Sequence, residues 1–131
     1  MNLGLTDEQV ALRDTTRRFL AERAPISRHV RALLDDPAGT EEAVWRGLAD
    51  LGTTGLLVPE EYGGAGGSLD DLAVFYTEAG RALCPTTVHS SVQAALALDQ
   101  LGSPPRKSRW LPPPPSGGIR APTRPWHPCD A

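Results

Sequence analysis

The sequence predicts an all-α fold of five to six helices, followed by a proline-rich irregular tail. Apolar residues recur at helical spacing in segments up to Leu111, and strong helix-start signals precede two of these segments. Seven of the twenty residues in 112–131 are proline, which a helix interior does not accommodate. We therefore expect a helical domain over 1–111 and a disordered tail over 112–131.

The first predicted helix begins at Thr6, with Gln9 and Val10 at its third and fourth positions. Thr6 and Gln9 form a capping box, and Leu5 with Val10 forms a hydrophobic staple. The helix is expected to end near Ala24-Pro25, because proline does not continue a helix.

The second helix is predicted over about 26–35, from one apolar stripe at helical spacing. The stripe consists of Ile26, Val30, Leu33 and Leu34. The third is predicted to start at Thr40 and to end at Gly52, which is typical of the position just past a helix end. The following TTGLLVP is too short for a helix and is expected to be extended.

A glycine-rich stretch, LVPEEYGGAGGSLDD at 57–71, leads into the fourth helix. It lacks the third glycine of a dinucleotide loop, since residue 69 is leucine, and it lacks the lysine of a P-loop. The stretch also contains four acidic residues, which disfavour the binding of an anion. We interpret the stretch as a chain reversal that needs positive φ, ended by Ser68 as a helix N-cap with Asp71 in a capping box.

The fourth helix is predicted after Ser68 and carries an apolar stripe from Leu69 to Leu83. The fifth is predicted from about Thr87 to Leu101, ending at Gly102. Its inward residues are expected to be Val88, Val92, Ala95, Leu96 and Leu101.

Three blocks of the chain resemble the N-terminal helical domain of the acyl-CoA dehydrogenase family. They are LTDEQVALRDTTRRFLAE at 5–22, WRGLADLGTTGLLVPEEYGGAGGSLDDLAVFYTEAGRAL at 45–83 and LGSPPRKSRWLP at 101–112. The resemblance covers nearly all of 1–112, and the PEEYGG turn with the E-x-G-R-x-L helix is its most specific part. It implies that Tyr62-Gly63 lies near the substrate pocket.

The family's reaction is the α,β-dehydrogenation of an acyl-CoA thioester, with a carboxylate base and FAD as hydride acceptor. The resemblance therefore implies acyl-CoA and FAD as ligands and a homo- or hetero-oligomer. Family members take the flavin mainly from a central β-domain and the base from a C-terminal helical bundle. No segment of this sequence resembles either of those two domains. We therefore expect no catalytic residue in this chain and no tight FAD binding by the chain alone.

Three carboxylates and one histidine are candidate catalytic groups. Glu60 and Glu61 flank a turn and are expected to be solvated, whereas Glu78 is expected to form a surface ion pair with Arg81. His89 beside Ser90 and Ser91 lacks an evident orienting group for a nucleophile.

Small side chains on the fifth helix are the candidate substrate-binding residues. By resemblance the matching helix lines the acyl channel, and Val88, Ser91, Val92 and Ala95 lie at helical spacing on one side. Close packing against a neighbouring helix favours the same small residues, so both interpretations stay open.

Composition excludes several classes of function. A net charge of −3 disfavours nucleic-acid binding, and no apolar run approaches the roughly 20 residues of a membrane span. The start MNLGLTDEQ lacks a signal-peptide pattern, so a cytoplasmic location is expected. Cys84 and Cys129 have no metal-ligand spacing and are interpreted as free thiols.

Two explanations of the tail stay open, and each implies a function. One is a shifted reading frame, which makes the chain a truncated flavin-dependent acyl-CoA dehydrogenase that is inactive alone. The other is a non-catalytic helical module that pairs with a full-length dehydrogenase subunit. In both cases Trp126 is expected in solvent and Trp110 partly on the helices, and deletion of 113–131 is expected to leave stability unchanged.

Overall fold

The structure is a computed structural model that describes residues 4–120, so Trp126 and Cys129 lie outside the described part. Within that range the chain is all-α and contains no strand, as predicted. Its helices are α1 (Asp7–Arg23), α2 (Arg31–Leu33), α3 (Glu42–Asp50), α4 (Leu69–Arg81), α5 (Val88–Leu101) and α6 (Pro104–Trp110). None of these helices is long and apolar enough to cross a membrane.

Both predicted capping boxes are confirmed. The Thr6 hydroxyl accepts from the Gln9 amide at 3.2 Å, and the Gln9 side chain accepts from the Thr6 amide at 3.1 Å. At α4 the Ser68 hydroxyl accepts from the Asp71 amide at 3.2 Å, and Asp71 accepts from the Ser68 amide at 2.8 Å. These bonds satisfy backbone donors that a helix start otherwise leaves free.

The second helix differs from its prediction. A π-helical turn, Ile26–Val30, precedes the short α2, and Ile26 and Leu34 are exposed rather than buried. The π-turn does not keep the 3.6-residue period on which the predicted stripe rests. His29 is buried instead, with its Nδ1 atom 2.8 Å from Glu41 Oε2.

The third helix begins later than predicted and ends as predicted. Thr40 does not cap it, because its hydroxyl donates to the Ala38 carbonyl and the extended Glu41 precedes the first helical residue. Gly52 follows the helix with a φ of 80°, which favours glycine.

The prediction of an extended TTGLLVP segment is wrong. Thr53–Gly55 forms a 3₁₀ turn, held by a 2.7 Å hydrogen bond from the Thr53 hydroxyl to the Leu48 carbonyl. Leu56 and Val58 follow this turn, and both are buried.

The glycine-rich stretch is a chain reversal, as predicted. Its amides bond to the chain that precedes it, with Gly66 donating to Val58 at 2.9 Å and Gly67 donating to Leu56 at 2.7 Å. A Cβ atom on Gly64 would lie 2.0 Å from the Val58 carbonyl oxygen, so only glycine fits this close approach.

Two apolar clusters hold the helices together. The larger joins α1, α3, α4 and α5 and consists of Leu20, Ala24, Val44, Trp45, Leu48, Leu56, Leu72, Phe75, Ala79, Val88 and Val92. The smaller consists of Val58, Ala95 and Leu111.

Some apolar residues at the helix ends lie outside the core. The prediction that Leu96 and Leu101 point inward is wrong, because their exposed fractions are 36% and 87%. Leu69 and Leu83, at the ends of the stripe predicted for the fourth helix, are also exposed.

The chain from Pro112 to Arg120 is irregular, as predicted, but it packs on the helices. The Trp45 indole donates to the Gly117 carbonyl at 3.0 Å, and the Arg120 guanidinium lies 4.7 Å from the Trp45 ring centre. Arg120 also forms an ion pair with Glu42. Leu111 is fully buried, whereas Trp110 is partly covered and 45% exposed, so Leu111 contributes more to the core than Trp110 does.

These contacts reverse the expectation that deleting the tail leaves stability unchanged. We predict that a chain ending at Leu111 is less stable than a chain ending at Arg120 by about 1 to 2 kcal/mol, because Trp45 loses a hydrogen bond and a covering segment. Urea unfolding followed by circular dichroism measures the difference. Equal midpoints for the two chains would mean that the segment does not stabilise the domain.

Candidate functional site

The most buried acidic group on α4 is Glu78, of which only 4% is exposed. Both of its carboxylate oxygens accept hydrogen bonds from Arg17 on α1, each at 2.9 Å. The prediction of a surface ion pair with Arg81 is therefore wrong, since the bidentate partner comes from another helix. Arg17 lowers the pKa of Glu78 through these hydrogen bonds, so the carboxylate is charged and neutralised by its partner.

A groove of about 560 Å³ runs beside this ion pair, between α1 and the end of α4. Its apolar walls are formed by Leu20, Ala21, Ala24, Pro25, Ile26 and Ala82. Its charged lining is Arg17, Glu78 and Arg81. We call this the α1–α4 groove.

The other predicted acid–base candidates are arranged differently. Glu60 and Glu61 are exposed, as expected for solvated carboxylates. His89 Nδ1 lies 3.2 Å from the Tyr76 hydroxyl, and the Ser90 hydroxyl donates to the Thr87 carbonyl at 3.0 Å. Ser90 is thus engaged with the backbone, which disfavours a His89–Ser90 nucleophile.

The four candidate substrate-binding residues are all buried in the packing between helices. Val88 and Val92 belong to the larger apolar cluster, and Ala95 belongs to the smaller cluster beside the half-buried Tyr62. Ser91 is 1% exposed. The structure thus brings the four onto one buried face of α5, and their lining of an acyl channel stays a prediction.

Cys84 is a free thiol, as predicted. Burial raises the pKa of this thiol to about 11, so it is uncharged at neutral pH and a weak nucleophile. Among residues 4–120, no cluster of three or more His, Cys, Asp or Glu side chains is arranged to hold a metal ion.

The sequence and the fold are similar to those of known proteins. The sequence profile of the acyl-CoA dehydrogenase N-terminal domain matches residues 6–118. This chain belongs to the acyl-CoA dehydrogenase family. The resemblance seen in the sequence is therefore confirmed, and the match runs beyond Leu111 into the packed segment.

Similar acyl-CoA dehydrogenases come from mycobacteria. The chain is 37% identical over 99 residues to the acyl-CoA dehydrogenase IpdE2 of Mycolicibacterium smegmatis, covering 75% of this chain and 32% of that protein. It is 40% identical over 93 residues to IpdE2 of Mycobacterium tuberculosis, covering 70% of this chain and 29% of that protein. The chain thus spans about a third of the length of the relatives it matches.

Two solved structures share the fold. The steroid ACAD Tcur3481-Tcur3483 is 32% identical with a TM-score of 0.80, covering 87% of this chain and 31% of that one. The ChsE4-ChsE5 complex from Mycobacterium tuberculosis is 25% identical with a TM-score of 0.80, covering 90% of this chain and 31% of that one.

Sequence reasoning missed the Arg17–Glu78 pair, although one signal for it was available. Glu78 is three residues after Phe75 and six after Leu72, which places it on the apolar face of α4. A carboxylate on a buried face of a helix needs a charged partner from elsewhere in the fold. The identity of that partner was not readable, because Arg13, Arg17 and Arg18 all lie on α1.

We predict that Glu78→Gln destabilises this acyl-CoA dehydrogenase domain by about 1 to 2 kcal/mol at neutral pH, with the partial exposure of Arg17 limiting the loss. Because the folded-state pKa of Glu78 is lowered, the advantage of the unmodified chain is complete above the unfolded value of 4.5. It is lost as the pH falls through the lower folded value. Urea unfolding at a series of pH values measures this.

Glu61→Gln is the matched control, because Glu61 is an exposed carboxylate on a turn. It is expected to change stability little at any pH. A Glu78→Gln deficit that stays constant down to acidic pH would contradict the ion-pair explanation.

We predict that Val92→Ala destabilises the domain by about 1 to 3 kcal/mol, because Val92 is 2% exposed within the larger cluster and its truncation leaves a cavity. Leu96→Ala on the same helix is the control, since Leu96 is more exposed and should cost less. Thermal melts of both variants test this. An unchanged melt for Val92→Ala would instead favour a lining role in a channel.

Proposed function

We propose that this chain serves as the N-terminal helical domain of a flavin-dependent acyl-CoA dehydrogenase that acts on an acyl-CoA thioester. The observation that carries the proposal is the match of the family profile over residues 6–118, together with the shared fold. Fold alone does not imply activity, so the role of the domain depends on the chemistry of its side chains.

The reaction needs a carboxylate placed at the substrate α-carbon and donors that polarise the thioester carbonyl. Within residues 4–120, the buried carboxylate Glu78 is neutralised by Arg17 on both oxygens, so it is a poor base. Glu60 and Glu61 lie in solvent. We therefore propose that this domain is inactive by itself and that it contributes walls and support.

Members of the family use FAD, whose pyrophosphate needs donors that can bind phosphate groups. The strongest candidate is the glycine-rich turn, because backbone amides in such turns bind phosphate groups. Here the amides of Gly64, Ala65, Gly66 and Gly67 donate to carbonyls of the preceding chain. The turn therefore does not fit a pyrophosphate, and we derive no step through the flavin from these residues.

We further propose that α5 forms part of the acyl-binding wall. The small side chains of Val88, Ser91, Val92 and Ala95 occupy one buried face of α5. Because these four side chains are buried within the domain, they would form the wall behind the acyl chain. Fatty acyl-CoA thioesters are one substrate class that such an apolar wall would accept.

A second candidate function is a non-catalytic helical module that pairs with a dehydrogenase subunit. One specific observation favours it. The Tcur3481-Tcur3483 steroid ACAD and the ChsE4-ChsE5 complex are each named for two components. The exposed Leu96, Leu101 and Trp110 would provide an apolar surface for such a partner.

A domain exchange tests the principal proposal. We predict that IpdE2 of Mycolicibacterium smegmatis, with its matching region replaced by residues 4–120 of this chain, retains flavin and dehydrogenase activity. The isolated 131-residue chain, prepared in parallel, should show neither flavin absorbance after gel filtration nor acyl-CoA-dependent reduction of a dye. Unmodified IpdE2 is the positive control.

Two outcomes would overturn the proposal. The first is a folded hybrid that retains flavin but lacks activity, since the domain would then not support catalysis. The second is turnover by the isolated chain. A stable complex between the isolated chain and a full-length dehydrogenase in gel filtration would favour the second candidate function.

A further inference from the structure

The α1–α4 groove has the composition of a site for an amphiphilic ligand. Six apolar residues from α1, the following bend and the end of α4 line it, together with Arg17 from α1 and with Glu78 and Arg81 from α4. Its volume of about 560 Å³ falls in the usual range of roughly 300–1,000 Å³ for small-molecule sites. Ile26 remains 41% exposed here, although it is a large apolar side chain.

The charges in the groove are unbalanced. Arg17 and Glu78 neutralise each other through two hydrogen bonds. Arg81 also lines the groove. Among residues 4–120 it forms no direct ion pair, and its charge adds to that of Arg17 in lowering the pKa of Glu78. The groove therefore carries one excess positive charge beside an apolar wall, and that charge can accept a carboxylate in the bidentate manner of arginine.

We propose that the α1–α4 groove binds a medium-chain carboxylate, with the carboxylate on Arg81 and the hydrocarbon chain along Ala21, Pro25 and Ile26, which keep accessible surface. The neutralised Arg17–Glu78 pair forms a rigid side wall and does not compete for the head group. The binding is independent of the dehydrogenase reaction, because it uses none of the α5 residues proposed for the acyl wall.

Isothermal titration of the full 131-residue chain with sodium octanoate, below its micelle concentration, tests the proposal. We expect saturable binding with a Kd on the order of 1 mM or tighter. Each methylene added from hexanoate to decanoate should tighten the Kd about threefold to fourfold, because it buries further apolar surface. Octylamine, which has the same chain length and the opposite charge, should bind at least about tenfold more weakly.

Two variants locate the site. Arg81→Gln should weaken octanoate binding about tenfold or more, whereas Arg46→Gln, at an exposed arginine on α3, should leave it unchanged. Ala21→Trp fills the groove from an exposed position and should abolish binding. Circular dichroism shows whether each variant is folded. If Arg81→Gln loses helical signal, octanoate binding by Ala21→Trp tests whether the groove is the site.

Three results would overturn the proposal. They are the absence of saturable octanoate binding, equal affinities for octanoate and octylamine, and unchanged octanoate affinity in a folded Ala21→Trp or Arg81→Gln chain.

Discussion

The first turns of α1 and α4 share one hydrogen-bond network, on which the register of these two helices depends. Gln9 caps α1 and donates through its amide nitrogen to Asp71 at 2.9 Å, while Asp71 caps α4. The Arg17–Glu78 pair makes a second link farther along. The links are eight residues apart on α1 and seven on α4, about 12 Å and about 10.5 Å, so the two helices run in the same direction and in register.

Much of the remaining architecture follows from this pairing. Parallel helices cannot be joined by a short turn, so the chain between α1 and α4 must return along the domain, and α3 fills part of that return. The glycine-rich reversal then delivers the chain to Ser68 at the position where Asp71 can meet Gln9. The same pairing leaves the α1–α4 groove open beside the far end, where the small residues Ala21, Ala24 and Ala82 do not fill the space.

Features with a local cause were predictable from the sequence, whereas features with a distant cause were not. Thr6 and Ser68 could be assigned as caps because their partners are three residues away. Arg17 as the partner of Glu78, and Trp45 as the partner of Gly117, required the fold, since 61 and 72 residues separate them. The candidate residues on α5 were correctly placed on one buried face, but a period of 3.6 does not distinguish a neighbouring helix from a ligand.

The packing of Pro112–Arg120 fixes where the polypeptide leaves the helical domain. Arg120 is anchored beside Glu42 and Thr40, at the start of α3, rather than projecting from α6. A group joined to the chain beyond Arg120 therefore starts from a defined point on the surface, and the search volume available to it is smaller than after a free linker beginning at Leu111. The packing of residues 112–120 shortens the effective tether by nine residues. A group attached beyond Arg120 therefore has a higher local concentration near the α3 side of the domain.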